Sequence, residues 1–193
     1  MNTSQLDLKD QSLQGHFLVS MPDLKESFFE HSLILICEHS KSGAMGFIVN
    51  KTSEHSVKDI FLQLQIKNAR MLKDDVLVFI GGPVEPQRGF LLANEKICDS
   101  MIEIMNGLYL AASPDALPLA IDHINRGDAA FILGYSGWIN NQLEYELRAN
   151  SWLSVDWDPN IMFELPSSAR QKAALAQLGI NDPIQLCQNA GHA

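Results

Sequence analysis

The sequence predicts an α+β fold: a single domain with a mixed, largely antiparallel sheet of short strands flanked by about four helices. Three observations carry this reading. The chain has 193 residues, 46% hydrophobic and 19% charged, which is the length and composition of one substantial core. Short apolar runs bounded by Gly, Pro, Asn and Asp signal strands, with hairpins concentrated early. Elsewhere the apolar residues recur at i, i+3 and i+4, the period of a helix buried along one face. No repeat, low-complexity tract or linker interrupts the pattern. Residues 1–14 are polar and aperiodic and read as a flexible N-terminal segment, 15–180 as the domain, and 181–193 as an irregular tail.

His16 to Ser20 and Ser32 to Cys37 read as strands, joined by a loop that Pro22, Asp23 and Ser27 mark. Met45 to Val49 follows closely after the turn EHSKSGA, so an antiparallel hairpin is expected; a parallel pair needs a crossover of about a dozen residues. Val57, Ile60, Phe61 and Leu64 then share a helical face, with Ser56 as N-cap and Asp59 three residues on. Val76 to Ile80 is an apolar strand ending in Gly81-Gly82-Pro83, and Gly89 to Leu92 and Leu108 to Ala111 are further strands. Leu117, Ala120, Ile121 and Ile124 repeat the helical spacing and stop at Gly127. Pro118 selects Asp115 rather than Ser113 as the cap, because that start puts the ring in the first turn. Ala129 to Tyr135 reads as a buried strand, and a helix follows from Asn141 with Glu144 as its capping partner. Ile161 to Glu164 reads as a last strand, and Ser168, Gln171, Ala174, Leu175 and Leu178 mark a final amphipathic helix before Gly179. The segments GAMG (Gly43 to Gly46), GGPV (Gly81 to Val84) and GYSGW (Gly134 to Trp138) are expected as glycine turns at strand ends.

The balance of charge narrows the partners. A net charge of -9 repels phosphate backbones, and the nearest approach to a basic cluster, Lys67, Arg70 and Lys73, is followed at once by Asp74 and Asp75. Direct nucleic-acid binding is therefore disfavoured. No positively charged start followed by an apolar run marks a signal peptide, and no apolar stretch approaches the roughly 20 residues of a membrane span. Three widely spaced cysteines, Cys37, Cys98 and Cys187, without a CxxC, fit a reducing cytoplasm.

The glycine segments are the candidate sites. GYSGW has a serine between strand and helix, like a nucleophile elbow, but that motif is G-x-S-x-G and Trp138 stands where the last glycine belongs. The only histidine after Ser136 is His192, near the end of the chain, so a Ser-Asp-His order is not supplied. Gly81, Gly82 and Pro83 can present backbone amides to an anion, with Arg88 as the nearby cation, although neither GxGxxG nor GxxxxGK[ST] is present. His31, Cys37, Glu38 and His39 offer metal-compatible side chains. In a regular strand the first two and His39 share a face, but only Cys37 and His39 are closely spaced, so no metal site is expected. In the acidic loop of Asp23, Glu26 and Glu30, one of Phe28 and Phe29 is expected to anchor into the core.

Taken together, GHFLVSMPDLKESFFEHSLILICEHSKSGAMGFIVNK, the GGPV turn with Arg88-Gly89-Phe90, GLYLAASPDAL and LGYSGWINNQLEYELRANSWL resemble the YqgE/AlgH family of bacterial proteins, from about Gly15 to the mid-160s. The resemblance implies a small cytoplasmic α/β protein of a family without an agreed activity, often labelled a transcriptional regulator. The chain departs from the family pattern at Ile139-Asn140-Asn141, where a small residue and a glycine-containing turn are usual. No helix-turn-helix is visible, so a regulatory role is expected to run through a protein partner.

The reading from sequence is a noncatalytic binding or regulatory module that holds a protein segment or small ligand and needs no cofactor. Its binding residues are expected among Gly81, Gly82, Pro83, Arg88, Tyr135, Ser136, Gly137 and Trp138. The alternative is a hydrolase using Ser136, or an anion site at Gly81, Gly82 and Arg88.

Overall fold

The computed structural model describes residues 12–24 and 27–180. The expected tail, 181–193, and residues 1–11 of the expected flexible segment lie outside the described residues. The strands are β1 (Phe17–Ser20), β2 (Leu33–Ser40), β3 (Gly43–Ile48), β4 (Thr52–Ser56), β5 (Leu77–Ile80), β6 (Val84–Ala93), β7 (Ile102–Met105), β8 (Leu108–Ala111), β9 (Ala129–Ile139) and β10 (Trp152–Val155). The helices are α1 (Val57–Gln63), α2 (Ile121–Arg126), α3 (Gln142–Arg148), α4 (Pro159–Phe163) and α5 (Ser167–Gln177), and a 3-10 segment spans Pro114–Leu119.

The strands run in the order β10-β1-β2-β3-β9-β6-β8-β7, with β5 beside β9 and β4 beside β5. Only β5 with β9 is parallel, so the sheet is mixed and largely antiparallel. The long strand β9 joins two halves: Ala129–Leu133 pairs with β6, and Ser136–Ile139 with β3. The sheet curls until one face of both halves closes on a shared core. There Phe17, Leu35 and Phe47 meet Phe90, Leu92 and Ile132, and α4 and α5 insert Met162 and Leu175. The outer face of the β6–β9 half is covered by α1, α2 and the 3-10 segment, with Phe61 set edge-on to Phe131 at 5.1 Å. The outer face of the β2–β3 half is covered by α3 over Ile34, Ile36, Trp138 and Trp152. Strand β2 is buried on both sides, which is why it reads as a continuous apolar run. At about 1.5–3 kcal/mol for each large apolar side chain, this burial supplies the main stabilising term.

The Ser56 cap stands as expected: its hydroxyl accepts from the Asp59 amide at 3.1 Å and donates to the Asp59 carboxylate at 2.8 Å. Several other expectations are corrected. Ile161 to Glu164 is not a strand: Asp158 accepts from the Asn160 amide at 2.9 Å, Pro159 occupies the first turn, and α4 results. Asp115 does not cap α2. The segment starts beyond Ser113 as a 3-10 turn with Pro118 inside it, a geometry the ring tolerates, and only then becomes α2. Asn141 precedes α3 in the left-handed conformation (φ 61°) and makes no side-chain cap, while Glu144 reaches His39 instead.

The glycine segments are also mostly not turns. GAMG lies inside β3 and GYSGW inside β9; only Gly81-Gly82-Pro83 is a connection, between β5 and β6. Strands β4, β7 and β10 were not legible as strands, and β6 starts at Val84 rather than Gly89. A bulge between Ile36 and Glu38 also overturns the expected facing of Cys37 and His39. Cys37 points into the shared core, whereas His39, opposite Ala44, lies on the α3 side. Among the described residues no helix is long and apolar enough to cross a membrane.

Candidate functional site

Gly134 is the pivot of the site. It sits in β9 with φ +70°, a left-handed conformation that costs other residues about 1–2 kcal/mol. The parity of side chains changes there: Ile132 and Tyr135 both turn toward the shared core, while Trp138 turns to the opposite face. Opposite Gly134, strand β6 makes a wide excursion. Val84 pairs with Tyr135 and Gly89 with Leu133, so residues 85–88 loop out over a single position of β9. A Cβ on Gly134 would stand 2.6 Å from the Gly82 carbonyl oxygen and 3.1 Å from Pro86 Cα. A Cβ on Gly82 would collide with the Tyr135 carbonyl. The glycines of GGPV and GYSGW therefore pack backbone against backbone and let the loop 85–88 fold over the sheet.

That loop forms one wall of a groove of about 680 Å³. Pro86, Gln87 and Arg88 stand on one side, the end of α1 with Ile60, Gln63, Leu64 and Ile66 on another, and Ala112, Ser113, Pro114 and Leu117 on the third. Leu91, Phe131 and Leu133 form an apolar floor at Gly89, which carries no side chain to cover the Phe131 ring. The floor also contains a strand edge. Leu133 accepts from the Gly81 amide at 2.8 Å, so its backbone groups face β5 and those of Ile132 face β6. Phe90, paired with Ile132, then spends its amide and carbonyl on β9, and Gly89 directs its own toward β8. Strand β8 ends at Ala111, opposite Leu91, and leaves Gly89 without a strand partner on that side.

Arg88 is the ionised residue of this lining. Its guanidinium lies 5.1 Å from the centre of the Phe90 ring, and one nitrogen donates to Glu85 at 2.8 Å. The hydrogen bond to Glu85 holds its pKa above the usual guanidinium value. The positive φ of Glu85, 45°, sets the loop geometry that brings the two side chains together.

The structure brings Gly81 and Gly82 against Tyr135 and Ser136, but away from solvent. The Ser136 hydroxyl is fully buried and donates to the Gly81 carbonyl at 3.0 Å, which also accepts from the Ile48 amide at 2.9 Å. The hydroxyl is thus spent on a backbone carbonyl inside the sheet. Pro83 and Gly137 are exposed and Tyr135 is half-buried against Phe90, outside the groove lining. Trp138 is buried across the molecule, where its indole N–H donates to Glu146 at 2.8 Å; the Trp152 indole donates to the same carboxylate oxygen at 2.7 Å. The α1 and 3-10 walls carry no motif in the sequence. Helical spacing puts Leu64 on the buried face of α1, yet the helix ends at Gln63 and Leu64 is 55% exposed beside the groove.

Other polar clusters are satisfied internally. His39 accepts from the Leu13 amide at 2.9 Å and meets Glu144 at 3.1 Å. Burial pushes the Cys37 thiol far up, so it is an inert core group. Of the two phenylalanines of the acidic loop, Phe29 packs on Trp152 at 5.7 Å and Phe28 is exposed. Arg170 is buried against Phe79 and donates to the carbonyls of Val49 at 2.6 Å and Leu165 at 3.1 Å; desolvation lowers its pKa to about 10. It clasps α5 to the β3–β4 connection. Glu95, His123 and Asp128 have ligand atoms within 4.8 Å of one another, but Arg126 already reaches Asp128 at 2.7 Å and Glu95 at 3.8 Å.

Comparison with known proteins gives a consistent outcome. Residues 17–182 match a family described as AlgH-like, a span that reaches past the resemblance seen in the sequence motifs. A UPF0301 protein of Vibrio parahaemolyticus is 38% identical over 187 residues, covering 94% of this chain and 100% of that one. A UPF0301 protein of Neisseria gonorrhoeae is 40% identical over 187 residues with the same coverage of each chain. The solution structure of the AlgH protein from Pseudomonas aeruginosa superposes with a TM-score of 0.74 at 32% identity, over 100% of both chains. The crystal structure of a Corynebacterium diphtheriae protein shares the fold, with a TM-score of 0.66 at 19% identity over 92% of this chain and 90% of that one.

Proposed function

The chain belongs to the AlgH-like family, and from that premise we propose that it is a noncatalytic binding module whose working surface is the groove between α1, the loop 85–88 and the 3-10 segment. The groove itself carries this reading. Its size is that of a small-ligand site, its floor is apolar, and its polar groups are few and set at the rim. The hydroxyl on which a hydrolase reading would depend, that of Ser136, is hydrogen-bonded inside the sheet. The regulatory label of the family fits a module that reports occupancy of this groove to a protein partner better than one that reads DNA, because the chain carries a net charge of -9. We place it in the cytoplasm, where its cysteines stay reduced.

The test uses Nile red, a neutral apolar dye. Native protein is expected to bind it at one saturable site, and Ala112→Trp, which fills the mouth from an exposed position, is expected to weaken that binding at least about tenfold with folding intact. Absence of saturable binding, or binding indifferent to Ala112→Trp, would remove the groove from consideration.

A further inference from the structure

We propose that the groove takes an extended peptide segment of a protein partner, which adds as a short strand at Gly89 and sets apolar side chains on the groove floor; the proposal rests on the groove being the binding surface. The free backbone of Gly89 carries it. Alternate residues of β6 face β8: Ala93 pairs with Tyr109 and Leu91 with Ala111, so the next pair in register would join Gly89 to Ser113. That pair does not form. The Ser113 carbonyl accepts instead from the Ala116 amide at 3.4 Å, at the start of the 3-10 segment, and Pro114 has no amide to offer. Among the described residues no hydrogen bond crosses from this wall to Gly89, which is half-buried in the groove lining. Its amide and carbonyl therefore form a short open edge, the template on which a further strand pairs.

An extended chain completes both bonds at once, whereas a helix spends its backbone internally and would leave Gly89 unpaired. The residue opposite Gly89 in an antiparallel pair directs its side chain to the same face as Gly89 would. That face is the groove floor, because a Cβ on Gly89 would stand 2.9 Å from the Phe131 ring. Residues two places away along the added strand point the same way. Their side chains meet Leu91, Phe131, Leu133 and Leu117. Arg88, the ionised residue of the lining, turns its guanidinium to Phe90 and Glu85, and Phe90 lies on the face of β6 that looks into the shared core. The segment that fits is accordingly uncharged and apolar at alternate positions.

The probe is the blocked peptide acetyl-Lys-Leu-Thr-Leu-Thr-Leu-Lys-amide, whose leucines share one face and one edge of a strand. Its control is the same peptide N-methylated at the leucines, which keeps side chains and charge but cannot donate to the Gly89 carbonyl. The unmethylated peptide is expected to displace Nile red and, at saturation, to slow hydrogen exchange of the Gly89 amide at least about tenfold by NMR, while Phe90 and Leu91, already bonded within the sheet, change little. The N-methylated peptide is expected to bind at least about tenfold more weakly. Equal binding of the two peptides, saturation without protection of Gly89, or no peptide binding where Nile red still binds would overturn strand addition while leaving the groove as a binding surface. Failure of the peptide and of Nile red together would instead refute the groove reading beneath it.

Discussion

Replacing Glu146 tests how α3 is fastened to the sheet. Its carboxylate is half-buried; one oxygen accepts from the indole N–H groups of Trp138 and Trp152 at 2.8 and 2.7 Å, and the other from the Gln142 side-chain Nε2 at 2.9 Å. The two indoles belong to β9 and β10, which lie four strands apart in sheet order and meet edge-on at 6.0 Å because the sheet curls. Both tryptophans are buried, at 6% and 3% exposure, so water does not readily replace the lost acceptor. An unsatisfied buried donor costs about 1–3 kcal/mol. With two such donors and a half-exposed carboxylate, Glu146→Ala should cost about 3 kcal/mol. Glu146→Gln keeps a carbonyl acceptor and loses only the charge, at about 1–2 kcal/mol. Urea unfolding followed by tryptophan fluorescence reads both. The decisive measurement is a cycle with Trp138→Phe and Trp152→Phe: once both indole donors are gone, Glu146→Ala should cost less than about 1 kcal/mol. Full additivity, or a Glu146→Ala variant within about 0.5 kcal/mol of the parent, would refute the two-indole clamp.

Gly134→Ala and Gly179→Ala share a left-handed backbone, at φ +70° and +77°, but the added Cβ meets the Gly82 carbonyl at 2.6 Å in the first and nothing within 4 Å in the second. Gly179→Ala should cost about 1 kcal/mol and Gly134→Ala at least about 2 kcal/mol more, with loss of Nile red binding as the loop 85–88 is displaced; equal costs in chemical denaturation would show that close approach is not what Gly134 provides. Ser136→Ala should cost about 1 kcal/mol or less, because the Gly81 carbonyl keeps the Ile48 amide, and should leave turnover of an ester and phosphoester panel unchanged; loss of a measured activity with folding intact would restore the hydrolase reading. The hydrogen bond from Arg126 holds the Asp128 carboxyl below its ordinary value. Its stabilisation is therefore present above the unfolded carboxylate pKa, about 4, and is lost as pH falls through the lower folded value. Arg126→Gln should flatten stability over that acid window, and an unchanged profile of unfolding midpoint against pH would contradict the pairing.

Much of the architecture was written in local pattern. The apolar run of β2, the hairpin to β3, the Ser56 cap and the Gly127 stop each follow from backbone preferences acting over a few residues, so the sequence alone determined an α+β domain with a largely antiparallel sheet. The motif segments identified the family for the same reason: they are short and contiguous. Strand β4, with the sequence TSEHS, and the edge strands β7 and β10 were not legible, because partners distant in the chain hold them rather than an alternating pattern of their own.

Only the tertiary structure decided what the glycines do. GGPV and GYSGW lie about fifty residues apart in sequence, and nothing in either announces that Gly134 packs against the Gly82 carbonyl and Gly82 against the Tyr135–Ser136 peptide. Local pattern places a glycine in a turn; the curl of the sheet placed Gly134 inside a strand, where its freedom of φ reverses the facing of β9 and lifts the loop 85–88 into a groove wall. The groove combines α1, β6, the 3-10 segment and β9, so its lining is a property of packing between elements and not of any one segment. Of the binding residues expected from sequence, Arg88 alone lines it, while Ser136 and Trp138 are consumed by internal hydrogen bonds. Sequence specifies which backbone can bend; burial against distant strands specifies which side chains remain free to meet a ligand.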